Sequence, residues 1–266
     1  MNTPLSAANG RLKDVRKLSR RSVRTERRLF LADGPKAVEG ALTVPDCVVE
    51  VFATPSATEE HPALVAAAGE RWTLVDDRAM ASLSDSVNPA GVVALCRHLD
   101  RPLAHLLETP RRLVAICAEV RDPGNAGTVI RTADAAGADL VVLAGQSVDA
   151  YHPKTVRASV GSLFHLPIAV EPDPVQAVRA AQAAGLLVLA ADGAGEIDLD
   201  AALDADELLR TPTAWLFGNE AWGLPEELAA AADHRVRIPI HGRAESLNLS
   251  TAAALCLYAS ARTHRA

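Results

Sequence analysis

Four apolar runs of strand length constrain this chain more than any other feature: Leu113-Val-Ala-Ile-Cys117, Leu140-Val-Val-Leu143, Leu186-Leu-Val-Leu-Ala190 and Ala214-Trp-Leu-Phe217. None alternates apolar with polar residues, so each must be covered on both faces. Helical stretches separate them, notably Asn125 to Ala136 and Pro174 to Ala184. A further helix at Pro225 to Ala232, a strand at Val236 to Ile240 and a last helix from Asn248 to Thr263 complete the alternation. Such a pattern predicts an α/β fold with a parallel sheet sandwiched between helices.

The first hundred residues also alternate, but with shorter elements. Strands are expected at Leu29–Ala32, Cys47–Ala53, Thr73–Val75 and Gly91–Cys96, with helices at Gly34–Leu42, Pro62–Gly69 and Asp77–Leu83. The stretch His98 to Arg112 carries two prolines and several charges and reads as a linker. Two domains follow, a smaller α/β domain at 1–105 and the parallel-sheet domain at 106–266. Aromatic residues make up only 3% of the chain while 49% is hydrophobic, so both cores must be aliphatic.

No apolar run approaches the roughly 18–20 residues of a membrane span, and the first ten residues lack the layout of a signal peptide. Cys47, Cys96, Cys117 and Cys256 are too far apart for zinc spacing or a disulfide framework. A cytoplasmic protein with no metal site and no membrane association is expected. The net charge is −6, yet between Arg11 and Arg28 nine basic residues, among them Arg20, Arg21 and Arg24, face only Asp14 and Glu26. Dense local charge attracts a polyanion such as RNA even on an acidic protein. The alternative is a solvated helix face or a mobile basic arm.

Three segments carry candidate chemistry. Arg121-Asp-Pro-Gly-Asn-Ala-Gly-Thr-Val-Ile-Arg131 follows a buried strand and opens a helix. Asn125 suits a helix cap there, and the free N–H groups of a helix start favour anions such as phosphate. Arg131 either forms an i,i+3 surface pair with Asp134 or grips a phosphate bidentately. Lys154-Thr-Val-Arg-Ala-Ser-Val-Gly-Ser162 is either an ordinary helix end or a second pocket wall, with Arg157 and Ser159 beside the ligand. Leu216-Phe-Gly-Asn-Glu-Ala-Trp-Gly-Leu224 and Arg243 to Asn248 place Gly, Asn, Glu and Ser just past strands, where open α/β sheets bind ligands. Gly-x-Gly-x-x-Gly and Gly-Lys-Ser/Thr fingerprints are absent, which disfavours a dinucleotide oxidoreductase or a P-loop enzyme.

These segments resemble, in order, the three motifs of the SpoU/TrmH family of RNA 2′-O-ribose methyltransferases, part of the SPOUT class. Asn125-x-Gly-x-x-x-Arg131 is similar to motif one, Leu216-Phe-Gly-Asn-Glu-x-x-Gly-Leu224 to motif two, and Ile238-Pro-Ile with Ser246-Leu-Asn-Leu-Ser250 to motif three. Leu29-Phe-Leu-Ala-Asp-Gly-x-Lys-Ala-Val-Glu39 resembles, more loosely, the opening of the ribosomal-protein-L30-like (L30e-like) substrate-binding domain attached to many of these enzymes. The resemblance implies a deep trefoil knot in the second domain, S-adenosylmethionine as cofactor, and a homodimer. It also implies that Arg131 is catalytic, that Asn125 positions it or the ribose, and that Glu220 orders the cofactor loops. Gly218, Ile238 and Leu247 would meet the cofactor through main-chain groups, with Ser246 and Asn248 ordering the loop. Arg157 and the basic residues Arg20, Arg21 and Arg24 would contact RNA. Ribosomal RNA is the expected substrate, with tRNA or a non-catalytic RNA-binding dimer as alternatives.

Overall fold

In a computed structural model that describes residues 3–205 and 207–265, the chain divides into two compact units. One runs up to Leu99 and takes in Asp149–His165; the other comprises Asp100–Val148 and the chain from Leu166 onward.

The first unit is built on strands β1 (Leu29–Asp33), β2 (Val48–Ala53), β3 (Trp72–Leu74) and β4 (Val92–Arg97), in the order β1-β4-β2-β3. β4 is antiparallel to both β1 and β2, while β2 and β3 are parallel. The basic segment is neither a single helix nor a loose arm. It folds as the helices Gly10–Arg16 and Arg21–Arg27, joined by a 3₁₀ turn at Lys17–Ser19. Leu12, Val15 and Leu18 from this segment are buried in one cluster with Phe52, Val75 and Met80. A second cluster sets Phe30 against Tyr151 with rings tilted by 38° and centroids 4.6 Å apart, and the Tyr151 hydroxyl accepts from Leu99 N at 2.6 Å.

The second unit holds β5 (Leu113–Ala118), β6 (Leu140–Ala144), β7 (Ile168–Glu171), β8 (Leu187–Ala191), β9 (Ile197–Asp198), β10 (Thr213–Phe217) and β11 (His234–Arg237). They form one sheet in the order β7-β6-β5-β10-β8-β11-β9, every pairing parallel. β5, β6, β8 and β10 are the four apolar runs of the sequence, and β5, β6 and β10 are buried along their whole length. The chain builds β5, β6 and β7 outward to one edge, returns for β8, and later inserts β10 between β5 and β8.

Two expectations need correction here. The stretch read as a linker contains the helical turn Leu103–Leu106, and its apolar Leu103 and Leu106 are buried in the core of the second unit. The strand expected to reach Ile240 stops at Arg237, because Pro239 has no N–H to give to a ladder. The last helix, Leu249–Arg265, packs on the helix Pro123–Ala136 and on β10. There Trp215 is fully buried, and its indole N–H is satisfied by Ser260 Oγ at 2.9 Å. The four cysteines are free and buried, and no helix among the described residues is long and apolar enough to cross a membrane.

Candidate active site

Parallel register brings the carboxyl ends of four strands to one edge. Phe217 pairs with Cys117, Leu216 with Ala190, and Val236 with Ala191. The segments after β5, β8, β10 and β11 therefore open at the same side of the sheet, where open α/β folds bind ligands.

The first of these segments is the start of the helix Pro123–Ala136. Its cap is Asp122, not Asn125: Asp122 Oδ1 accepts from Asn125 N at 2.7 Å, and Pro123 occupies the first turn. Proline is preorganised for that place and the residue before it becomes the cap. The exchange frees the Asn125 side chain. Its Nδ2 donates to Glu220 Oε1 at 3.2 Å and its Oδ1 accepts from Asn248 Nδ2 at 3.1 Å. One asparagine thus ties the segments after β5, β10 and β11 together.

Glu220 completes the join. Its carboxylate accepts from the main-chain N–H of Arg121 and of Asp122, each at 3.1 Å. The anion at this helix start is thus Glu220, in place of the phosphate that the sequence pattern allowed. Burial pushes the Glu220 carboxyl up, but main-chain donors at Glu220, Arg121 and Asp122 and the Asn125 amide outweigh it, so its pKa lies below the ordinary value.

Between the two segments, buried Asn219 donates from Nδ2 to Glu119 O at 2.7 Å and exchanges main-chain hydrogen bonds with Gly223, both 2.9 Å. This hairpin folds back on Gly218 so closely that a Cβ there would lie 2.7 Å from Leu224 N. No residue but glycine fits. Beneath the site, burial first and the Glu220 charge second push the Cys117 thiol up to about 12, so it stays protonated.

These segments enclose a cleft of ≈ 480 Å³, within the range of small-molecule sites. Gly218, Ile238, Ser246, Leu247 and Asn248 line it, together with Glu220. From Pro239 to Leu247 the main chain makes no hydrogen bond to any described residue. Apolar side chains and unspent main-chain donors and acceptors suit an adenosine-bearing cofactor, whose base is flat and whose edges need hydrogen bonds. Sequence reasoning missed Asp192 and Gly193, which also line the cleft. The signal was present: Asp192-Gly-Ala-Gly195 follows the β8 run just as Gly218 follows β10.

Other expected residues lie elsewhere. Arg131 is exposed on the Pro123–Ala136 helix, outside the cleft lining. The surface pair with Asp134 is not formed, and Arg131 makes no ion pair among the described residues. Arg157 and Ser159 are not among the residues that line the cleft. They sit on the helix Pro153–Ser159, which belongs to the other unit. There Arg157 faces Asp85 at 3.4 Å and Asp33 at 3.8 Å, and Ser159 Oγ donates to Val156 O.

Arg24 is not available to contact RNA, contrary to expectation. It is 2% exposed, pairs with Asp149 at 2.7 Å, and donates to the carbonyls of Leu18 and Ser19. Its donors are spent on its own fold. Arg20 and Arg21, by contrast, are exposed and unpaired among the described residues.

A cleft bridged by side chains at the carboxyl ends of parallel strands marks a ligand-binding α/β protein. Comparison with known proteins narrows the class. The chain matches the SpoU rRNA Methylase family over residues 112–258 and the MRM3-like substrate binding domain over residues 9–94. It is 34% identical over 259 residues to the 23S rRNA (guanosine(2553)-2′-O)-methyltransferase RlmP of Bacillus subtilis (strain 168), covering 95% of this chain and 96% of that protein. Among solved structures it resembles an AdoMet-bound rRNA methyltransferase from Sinorhizobium meliloti, with TM-score 0.84, 34% identity, and coverage of 98% of this chain and 97% of that one. It also resembles the SpoU methyltransferase AviRb from Streptomyces viridochromogenes in complex with AdoMet, with TM-score 0.82, 30% identity, and coverage of 96% and 98%. The chain belongs to the SpoU rRNA methylase family.

Proposed function

We propose that this protein transfers a methyl group from S-adenosylmethionine to a ribose 2′-hydroxyl of large-subunit ribosomal RNA. The observation that carries the reading is the Glu220–Asn125–Asn248 bridge, which joins all three family motifs at the rim of one cleft. Support for the substrate comes from relatives named as 23S rRNA 2′-O-methyltransferases.

When bound, S-adenosylmethionine supplies a methyl already activated on a sulfonium, so the protein's task is to align a 2′-hydroxyl and manage its proton. Gly218, Ile238 and Leu247 hold the cofactor through main-chain groups, while Ser246 and Asn248 fix their loop. Asn125 and Glu220 hold the start of the Pro123–Ala136 helix at a set distance from that loop. Arg131 grips the phosphate next to the target ribose and polarises the hydroxyl, whose proton passes to solvent as its oxygen takes the methyl. A guanidinium offers donors and no acceptor, which makes it a poor base, so the phosphate contact is the larger part of its role.

The proposal extends to the assembly. The last helix leaves Leu255 and Tyr258 exposed on one face, 45% and 52%, which suits a second copy of the chain. The knot of the family is proposed for residues 106–266, and RNA recognition for residues 1–105 through exposed Arg20 and Arg21. The proposed place of action is the cytoplasm.

The test is methyl transfer from labelled S-adenosylmethionine to total cellular RNA, with nucleotide mapping. Label in ribosomal RNA at a 2′-oxygen supports the reading; label confined to tRNA supports the alternative substrate. Cofactor binding without transfer to any RNA contradicts it.

A further inference from the structure

The cleft is one-sided in charge. Its lining includes three carboxylates, Asp192, Glu220 and Glu245, and no lysine, arginine or histidine. The three are not equivalent. Glu220 spends its oxygens on the main chain of Arg121 and Asp122. Asp192 accepts from Ala194 N at 2.9 Å and lies 4.0 Å from Arg235 Nη1, so part of its charge is offset. Glu245 is exposed on the loop before Ser246 and makes no ion pair among the described residues. Arg243, two residues earlier, does not line the cleft.

Resting on the methyltransferase reading, we infer that this cleft selects its ligand by charge, with Glu245 as the main determinant and Asp192 as the lesser one. It favours an adenosine bearing a net positive charge, tolerates the neutral sulfide left after transfer less well, and rejects phosphorylated adenine nucleotides. S-adenosylmethionine carries a sulfonium, an ammonium and one carboxylate, a net cation. S-adenosylhomocysteine has lost the sulfonium charge and is neutral overall. Methyl transfer therefore removes the charge that the cleft attracts, and product release is favoured without any movement of the fold. A carboxylate on a partly walled surface acts at distances of several ångströms and is weakened by salt.

The experiment is isothermal titration of the full chain and of its Glu245→Gln and Asp192→Asn variants at low and high salt. The ligands are S-adenosylmethionine, sinefungin (which carries an amine in place of the sulfonium), S-adenosylhomocysteine and AMP. The unaltered protein should bind both cations more tightly than the homocysteine product and bind AMP least. Glu245→Gln should weaken both cations by roughly threefold to tenfold, Asp192→Asn by less. S-adenosylhomocysteine should shift by less than about twofold, which also shows that the variant fold is intact. High salt should narrow the gap between cations and product. Equal shifts for all ligands, or AMP binding as tight as that of the cations, overturns the charge selection alone. Binding of none of the adenosine ligands overturns the methyltransferase reading and this inference with it.

Discussion

The strand-end face of the parallel sheet and the basic helices Gly10–Arg16 and Arg21–Arg27 are both rich in polar side chains, yet they treat them in opposite ways. At the strand ends, Asn125 reaches across the chain to Glu220 and Asn248, and Arg131, six residues beyond it, is left unpaired among the described residues. In the basic helices an arginine indistinguishable in type, Arg24, is drawn inside and saturated by Asp149 and two carbonyls. The first region keeps its cation available and spends its neutral and acidic groups on position. The second spends one cation on the fold so that its neighbours stand on a fixed surface.

Substitutions can break this contrast. The largest effect is expected at Arg131: Arg131→Ala should lower the rate of methyl transfer by about a hundredfold to ten-thousandfold, with cofactor affinity unchanged by titration. Equal loss of cofactor affinity would make Arg131 part of the scaffold. Arg24→Ala should strip the half-buried Asp149 of its cation, leaving only the Tyr151 N–H, among the described residues, on its carboxylate, and destabilise the first unit by about 3–5 kcal/mol, read as a lower thermal midpoint. A stable Arg24→Ala protein with weakened RNA binding would return that residue to the RNA surface.

Glu220→Ala should come next, loosening the Pro123–Ala136 helix from the cofactor loops and weakening donor binding by about tenfold. The same join gives a pH signature. Because the folded-state pKa of Glu220 lies below its ordinary value, the join is fully present above the usual carboxylate range and is lost as pH falls through the lowered value. Donor binding should therefore persist through the usual carboxylate range and fail only below it. Loss already within that range would contradict the lowered value. The smallest effects belong to Arg20→Ala and Arg21→Ala: each should weaken RNA binding by about fivefold and reduce the salt slope by about one, with stability unchanged.

Much of the fold was legible in the sequence because β5, β6, β8 and β10 are continuous apolar runs, and burial on both faces leaves no other reading. The motifs were legible too, as short patterns directly after those runs. What joins them was not. Asn125 and Glu220 are 95 residues apart and Asn125 and Asn248 are 123 apart; no local period encodes such bonds. Two local signals were open to a closer reading: Pro123 marks Asp122 as the cap, and Pro239 ends the strand before Ile240. Arg24 gave no sign of its burial, since its partner Asp149 lies 125 residues on.

On the proposed function, the bridged strand ends form a ribose methyltransferase site whose reaction depends on Arg131. The most direct measurement compares the unaltered protein with Arg131→Ala, using tritiated S-adenosylmethionine and ribosomal RNA. The product is read by nucleotide mapping and resistance to alkaline cleavage. One alkali-resistant, labelled 2′-O-methyl nucleotide is expected in the large-subunit RNA, absent with Arg131→Ala although that variant still binds the donor. Label on a base, or undiminished transfer by Arg131→Ala, would contradict that function.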